Sequence, residues 1–178
     1  MMKYRLMGML LLLASTNALA AGESKWYAAF DYGQGNLRDA CPPAQCRPTD
    51  IAMRIGGGYS FSPYLGTELG YGNFGTASFH GQGQTKVSGW MLSGIAGIPF
   101  DKFAVYARLN IVRAETRNTT NQTQTTTNAV GLGASVQYNL SKSLGVRLQY
   151  DDLGRHGDRN TTGESWVDMV TLGATYRF

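Results

Sequence analysis

A chain of 178 residues with 23 glycines, ten tyrosines and only 16% charged residues is a poor candidate for a helical bundle. It suits pleated strands, and its length fits one domain. Sixteen basic against twelve acidic residues give a net charge of +4, too small and too scattered for a nucleic-acid binder.

The chain opens on a basic stretch, Met1-Met2-Lys3-Tyr4-Arg5. The apolar run from Leu6 to Ala14 follows, and then Ala18-Leu19-Ala20. This is the pattern of a secretory signal peptide with a small-x-small cleavage site, predicting removal of residues 1–20 and a mature domain over 21–178. The apolar run is too short to span a bilayer. Removing it takes away Lys3 and Arg5 and no acid, so the mature charge falls from +4 to +2. The rest holds no apolar stretch of transmembrane-helix length, so any span has to be a closed barrel of strands.

Eight segments alternate with period two, the mark of a half-buried strand. The first, residues 25–33, sets Trp26, Phe30 and Tyr32 against Tyr27 and Asp31. The second, 50–61, opposes Ile51, Met53, Ile55 and Tyr59 to Asp50, Ala52 and Arg54. In the third, 65–73, Leu65, Leu69 and Tyr71 oppose Glu68. The fourth, 85–100, has Trp90, Leu92 and Ile98 on one face and Ser93 and Ile95 on the other. The fifth, 103–115, places Val105, Leu109 and Ile111 opposite Tyr106, Arg108 and Asn110. In the sixth, 128–140, Val130, Leu132, Val136 and Tyr138 oppose Ser135 and Gln137. The seventh, 144–151, opposes Val146, Leu148 and Tyr150 to Arg147, Gln149 and Asp151. The last, 166–178, lines up Val170, Leu172, Tyr176 and Phe178 against Thr171, Thr175 and Arg177.

The connections alternate in length. Residues 34–49, 75–84, 116–127 and 152–165 are long, whereas 62–64, 101–102 and 141–143 are short. The expected fold is therefore all-β, an eight-stranded antiparallel up-and-down transmembrane β-barrel with external loops and periplasmic turns, in the bacterial outer membrane. Trp26, Tyr59, Tyr64, Trp166 and Tyr176 suit interfacial girdles. A soluble barrel would turn its apolar face inward. Here Asp31, Arg54, Glu68, Arg108, Gln137, Arg147 and Gln149 lie opposite the apolar stripe, as a polar lumen surrounded by lipid requires.

Cys41 and Cys46 both fall in the exported part, where one local disulfide is the default. Closing so short a loop stabilises by only about 2 kcal/mol. No further His or Cys at ligand spacing makes them a metal site, and no cofactor fingerprint occurs. The Gly56-Gly57-Gly58 run lies inside a strand.

The stretch from Gly57 to Tyr71, Gly-Gly-Tyr-Ser-Phe-Ser-Pro-Tyr-Leu-Gly-Thr-Glu-Leu-Gly-Tyr, closely resembles the second hairpin of the OmpA-type transmembrane domain. Gly145-Val146-Arg147-Leu148-Gln149-Tyr150 resembles its seventh strand, and Leu172 to Phe178 its last. In that family a strand-three glutamate and a strand-seven arginine pair inside the lumen, while a strand-four lysine and a strand-six glutamate compete for them. The resemblance assigns the first pair to Glu68 and Arg147. The competing positions fall on Ile95 and Gln137, which are uncharged, so it does not carry over an ion-pair switch. Two readings of the lumen follow: a side-chain plug, or a narrow ion pore gated by the Glu68/Arg147 pair. The family's larger members add a peptidoglycan-binding domain; Tyr176 and Phe178 resemble the terminal signal read by the barrel assembly machinery.

Enzymatic chemistry is not expected. Some small outer-membrane barrels modify lipid A, but His80 and His156, the only histidines, fall in predicted loops. The stretches His80-Gly81-Gln82 and His156-Gly157-Asp158 lack the serine two residues on that such a site uses, although Ser165 and Asp151 are within conceivable reach of His156. The Thr/Asn/Gln-rich stretch 117–128 and the polar stretch 154–164 are too hydrophilic to order themselves. As external loops they are candidates for recognising a host surface or a phage. Arg113, Arg117, Arg155 and Arg159 would lie near the phosphates of lipopolysaccharide in the outer leaflet.

Overall fold

The computed structural model describes residues 25–38, 46–47, 49–79, 83–119, 122–158 and 163–178. The expected signal peptide, Cys41 and the pairing of Cys41 with Cys46, His80 and Arg159 lie outside the described residues or side chains. Eight long strands form the wall: β1 (Trp26–Arg38), β2 (Thr49–Ser60), β3 (Leu65–Phe79), β4 (Gly83–Phe100), β5 (Phe103–Asn118), β6 (Thr123–Asn139), β7 (Leu144–Asp158) and β8 (Gly163–Arg177). Each pairs antiparallel with its chain neighbour, and β1 pairs with β8 to close the barrel. A two-residue strand, Cys46–Arg47, adds to the outer end of β3.

The period-two pattern selects the faces because a strand places successive side chains on opposite sides. Phe30, Ile55, Leu69, Trp90, Leu109, Leu132, Leu148 and Leu172 all point outward and are exposed, as lipid-facing residues of a membrane barrel are. Edge-to-face aromatic pairs band the wall at two heights. Trp26–Tyr59 and Tyr176–Phe178 lie near the short turns, and Tyr71–Trp90 lies toward the opposite end.

The turns use local chemistry. The Ser62 hydroxyl accepts from the Tyr64 and Leu65 amides, and the Ser141 hydroxyl accepts in the same way from Ser143 and Leu144. Both are side-chain-closed serine turns. Between β4 and β5, Asp101 takes φ 53°, a left-handed conformation that Asp tolerates.

Two expectations need correction. The strands run farther outward than the apolar stripe: β1 continues to Arg38, β3 to Phe79 and β7 to Asp158, and the Thr/Asn/Gln-rich stretch extends the β5–β6 hairpin. Those residues find backbone partners in a neighbouring strand, such as Thr116 with Thr125 and Glu115 with Thr126. Ladder pairing orders them where burial alone could not. The second correction concerns the lumen, which is not polar throughout. Leu37, Phe74, Val87, Val112, Leu153, Val167 and Met169 form a buried apolar cluster in its outer half.

Two β-bulges help build that cluster. The register shifts between Asn73 and Gly75 on β3 and between Asp152 and Gly154 on β7. The extra residues, Phe74 and Leu153, are both fully buried. Gly75 at φ 139° and Gly154 at φ 78° adopt backbone conformations open to residues without a Cβ. Beyond the second bulge the inward parity of β7 is inverted, so His156 points in and Arg155 points out over the Trp166 ring.

Candidate functional site in the barrel lumen

Below the apolar cluster, six ionisable side chains from five strands converge. Asp31 (β1), Glu68 (β3) and Asp151 (β7) meet Arg54 (β2), Arg108 (β5) and Arg147 (β7), and every one is at most 4% exposed. Three acids balance three bases, as burial of charge demands.

Arg147 is the hub. Its Nε and Nη2 donate to the two oxygens of Asp31, each at 2.8 Å, and its Nη1 and Nη2 donate to Glu68 at 2.7 and 3.1 Å. One planar fork thus serves two carboxylates. Arg54 donates to Asp31 Oδ2 from Nε at 3.0 Å and from Nη2 at 2.7 Å, and lies 3.0 Å from Glu68. Arg108 donates to Glu68 at 3.1 Å and to Ser93 Oγ at 3.0 Å. Tyr27 caps Glu68 from below, its hydroxyl donating to Oε2 at 3.1 Å.

A polar relay continues upward. Ser93 Oγ donates to Asn110, whose Nδ2 donates to Asp151 at 2.8 Å, and Gln149 also donates to Asp151. Arg54 reaches the Gln149 oxygen at 3.2 Å, and its Nη1 touches the Met91 sulfur at 3.6 Å. Met91 belongs to the apolar cluster, so the two layers meet without an interval.

Glycines make these reaches possible. Gly173 is the register partner of both Arg147 and Asp31, and a Cβ there would collide with the Asp31 carboxylate. Gly133 stands in the same way between Arg108 and Asp151. Each glycine lets a long side chain cross a whole strand to its counterion.

The residues singled out in the sequence are placed as follows. Glu68 and Arg147 meet, and Asp31, Arg54, Arg108 and Gln149 join them in one network. Gln137 does not: it donates to Asn139 at 2.8 Å, and it lines a cavity with Ile95 at the turn end. Asp151, Asn110, Ser93 and Tyr27 are further members. Their signal was present, because each shares the inward parity of a singled-out charge on its own strand or the next.

His156 lies in β7, contrary to its expected loop position, and is fully buried. Its Nε2 is 3.0 Å from the Leu153 carbonyl oxygen and its Nδ1 3.1 Å from Thr127 Oγ1. A carbonyl only accepts, so Nε2 carries the proton and Nδ1 accepts from the threonine. The ring lies six residues beyond Tyr150, past the lipid-facing stripe, and burial pushes its pKa below the ordinary value. Ser165 is its register partner, while Asp151 is bound to Asn110 and Gln149.

Comparison with known proteins agrees with this architecture. Outer membrane protein A of Escherichia coli O157:H7 is 28% identical over 176 residues, covering 93% of this chain and 51% of that protein. The Klebsiella pneumoniae protein of the same name is 29% identical over 175 residues, covering 89% and 50%. The chain thus spans about half the length of the curated relatives it matches. Among solved structures, Neisserial surface protein A superposes with a TM-score of 0.60 at 16% identity, covering 88% of this chain and 99% of that one. Ail of Yersinia pestis, solved with the heparin analogue sucrose octasulfate, gives 0.59 at 14% identity, covering 88% and 100%; both likenesses concern the fold. The OmpA-like transmembrane domain model matches residues 21–178, and the chain belongs to that family of bacterial outer-membrane β-barrels.

Proposed function

We propose that this barrel is non-enzymatic, keeps its lumen shut, and acts at the cell surface through the outer ends of its hairpins. The observation that carries the reading is the two-layer filling of the lumen. A charge-balanced network of three arginines and three carboxylates is overlaid by an apolar cluster reaching Leu37, Phe74 and Val167. An ion crossing it would have to break buried pairs and then enter an uncharged, closely packed layer with nothing to replace its hydration. The apolar layer argues against the alternative of a pore gated by Glu68 and Arg147, since loosening the pair leaves the apolar residues in place.

The absence of catalysis is supported by His156. The ring is fully buried between Thr127 Oγ1 and the Leu153 carbonyl, with no surface left to meet a substrate.

Outward-facing Lys86, Arg113 and Arg117 lie on β4 and β5 beyond the Trp90 end of the belt, with Lys86 opposite Arg117 and Trp90 opposite Arg113. They suit the phosphates of lipopolysaccharide. A host-surface polyanion or a phage protein is the partner class for the tips, and the sulfated ligand of the structurally similar Ail is of the polyanionic kind. Assembly machinery would read Tyr176 and Phe178.

Photo-cross-linkers at Asn118 and Asp158 on intact cells, with single-channel recording of refolded protein, test the proposal. Specific adducts and a silent bilayer are expected. Frequent openings without adducts would overturn it.

A further inference from the structure

The turn end of the lumen is not filled. Below Tyr27 and Arg147 a cavity of about 530 Å³ opens toward the periplasmic side, within the range of small-molecule sites. It exists because Ile95 and Gln137 face it: neither carries a charge that would draw a counterion across the barrel, and Gln137 folds back onto Asn139.

The charge of this cavity is one-sided. Lys25, Lys142 and Arg177 line its rim and Arg108 and Arg147 its floor, and none of the described lining residues is Asp or Glu. Arg147 is neutralised by Asp31 and Glu68. The rim cations have no ion-pair partner among the described residues. Arg108, like Arg147, is paired, through Nη2 with Glu68 at 3.1 Å, but its Nε, fully buried, has no hydrogen-bond acceptor, with Asp151 3.4 Å away as a charge contact only. Polar groups of Ser135, Gln137 and Thr175 line the walls.

We propose that this vestibule is a binding site for a small phosphorylated or carboxylated molecule entering from the periplasmic side. The rim cations focus an anion into a low-dielectric cup, where ammonium and guanidinium donors converge with wall hydroxyls and amides. With the lumen filled above it, the site holds its ligand and does not pass it on. The same chemistry would seat either a free organic phosphate or the phosphate of an inner-leaflet phospholipid headgroup.

The test is titration of the isotope-labelled refolded barrel with glycerol 3-phosphate in a neutral maltoside micelle at low salt, followed by backbone amide shifts. Saturable shifts at Gly66, Ser135 and Gly145 are expected. They should weaken at least tenfold in Lys142→Gln/Arg177→Gln and fall further at high salt. Lys142→Gln alone, an exposed turn change, keeps the test valid if the double variant does not fold, and should weaken binding severalfold. Repeating the titration in phosphatidylcholine and phosphatidylglycerol nanodiscs separates the sources. Loss of the response only with phosphatidylglycerol assigns the site to a lipid headgroup, and its survival in both assigns it to a soluble anion. Absence of saturable shifts in neutral micelles, or equal affinity in the folded variants, would overturn the proposal.

Discussion

Replacing Arg147 by Met removes the four hydrogen bonds that join Asp31 and Glu68 while keeping most of the side-chain volume. The balanced network becomes one cation short. Breaking a buried ion pair from one side costs about 3–5 kcal/mol. Two facts place this case at the lower end. Asp31 keeps both bonds from Arg54, and Glu68 keeps Arg108, Tyr27 and the nearby Arg54 charge, so neither carboxylate is orphaned. Arg147 also borders the vestibule, where water can partly replace it. A loss of about 3 kcal/mol is a factor of about 150 in the unfolding equilibrium and, at a slope of about 2 kcal/mol per M, lowers the urea midpoint by about 1.5 M. Tryptophan fluorescence during reversible urea unfolding in lipid vesicles measures it. Arg147→Lys keeps the charge but loses the double fork, so it should fall between the two. A midpoint drop below about 0.3 M for Met, or a Lys variant matching the parent, would refute the argument that one fork holds two acids.

Two other expectations follow from the outer half of the barrel. Phe74→Ala should destabilise by about 3–5 kcal/mol, since the ring is fully buried; the same urea titration reads it, and a loss under about 1 kcal/mol would mean that the layer is loosely packed. Because burial lowers the pKa of His156, the folded state binds its proton less readily than the unfolded chain. Its penalty is therefore absent above the ordinary value of about 6.5 and grows as pH falls below it. Amide exchange in residues 125–158 should be faster at pH 5.5 than at 7.5 after correction for intrinsic rates, and the difference should shrink in His156→Gln.

The faces of all eight strands were readable because lipid and lumen impose opposite demands on neighbouring residues, and a period of two registers both. Glu68 and Arg147 were readable as a pair through motif resemblance. That six charges form one network was not, because the contacts cross strands distant in sequence, and the residues permitting it, Gly173 and Gly133, contribute only the absence of a side chain. The outer half was misread for two reasons. Its Thr/Asn/Gln alternation leaves no apolar stripe to mark strand continuation, and one extra residue at each bulge shifts the parity, which is how His156 moved from an expected loop to a buried position. The apolar cluster was hidden by the same shift and by an expectation of polarity along the whole lumen.

The extension of β5 and β6 to Asn118 and Thr123 carries their hairpin about seven residues past Ile111, roughly 15–20 Å above the hydrocarbon edge for strands tilted as in such barrels. Ladder bonds and the packed interior hold that height, so the tip stands on a stiff pedestal whose conformational entropy was surrendered during folding. The surface interaction proposed for that end would begin from a preorganised platform. New tip sequences could then be exchanged to change the partner while the pedestal and the membrane wall beneath it stay the same.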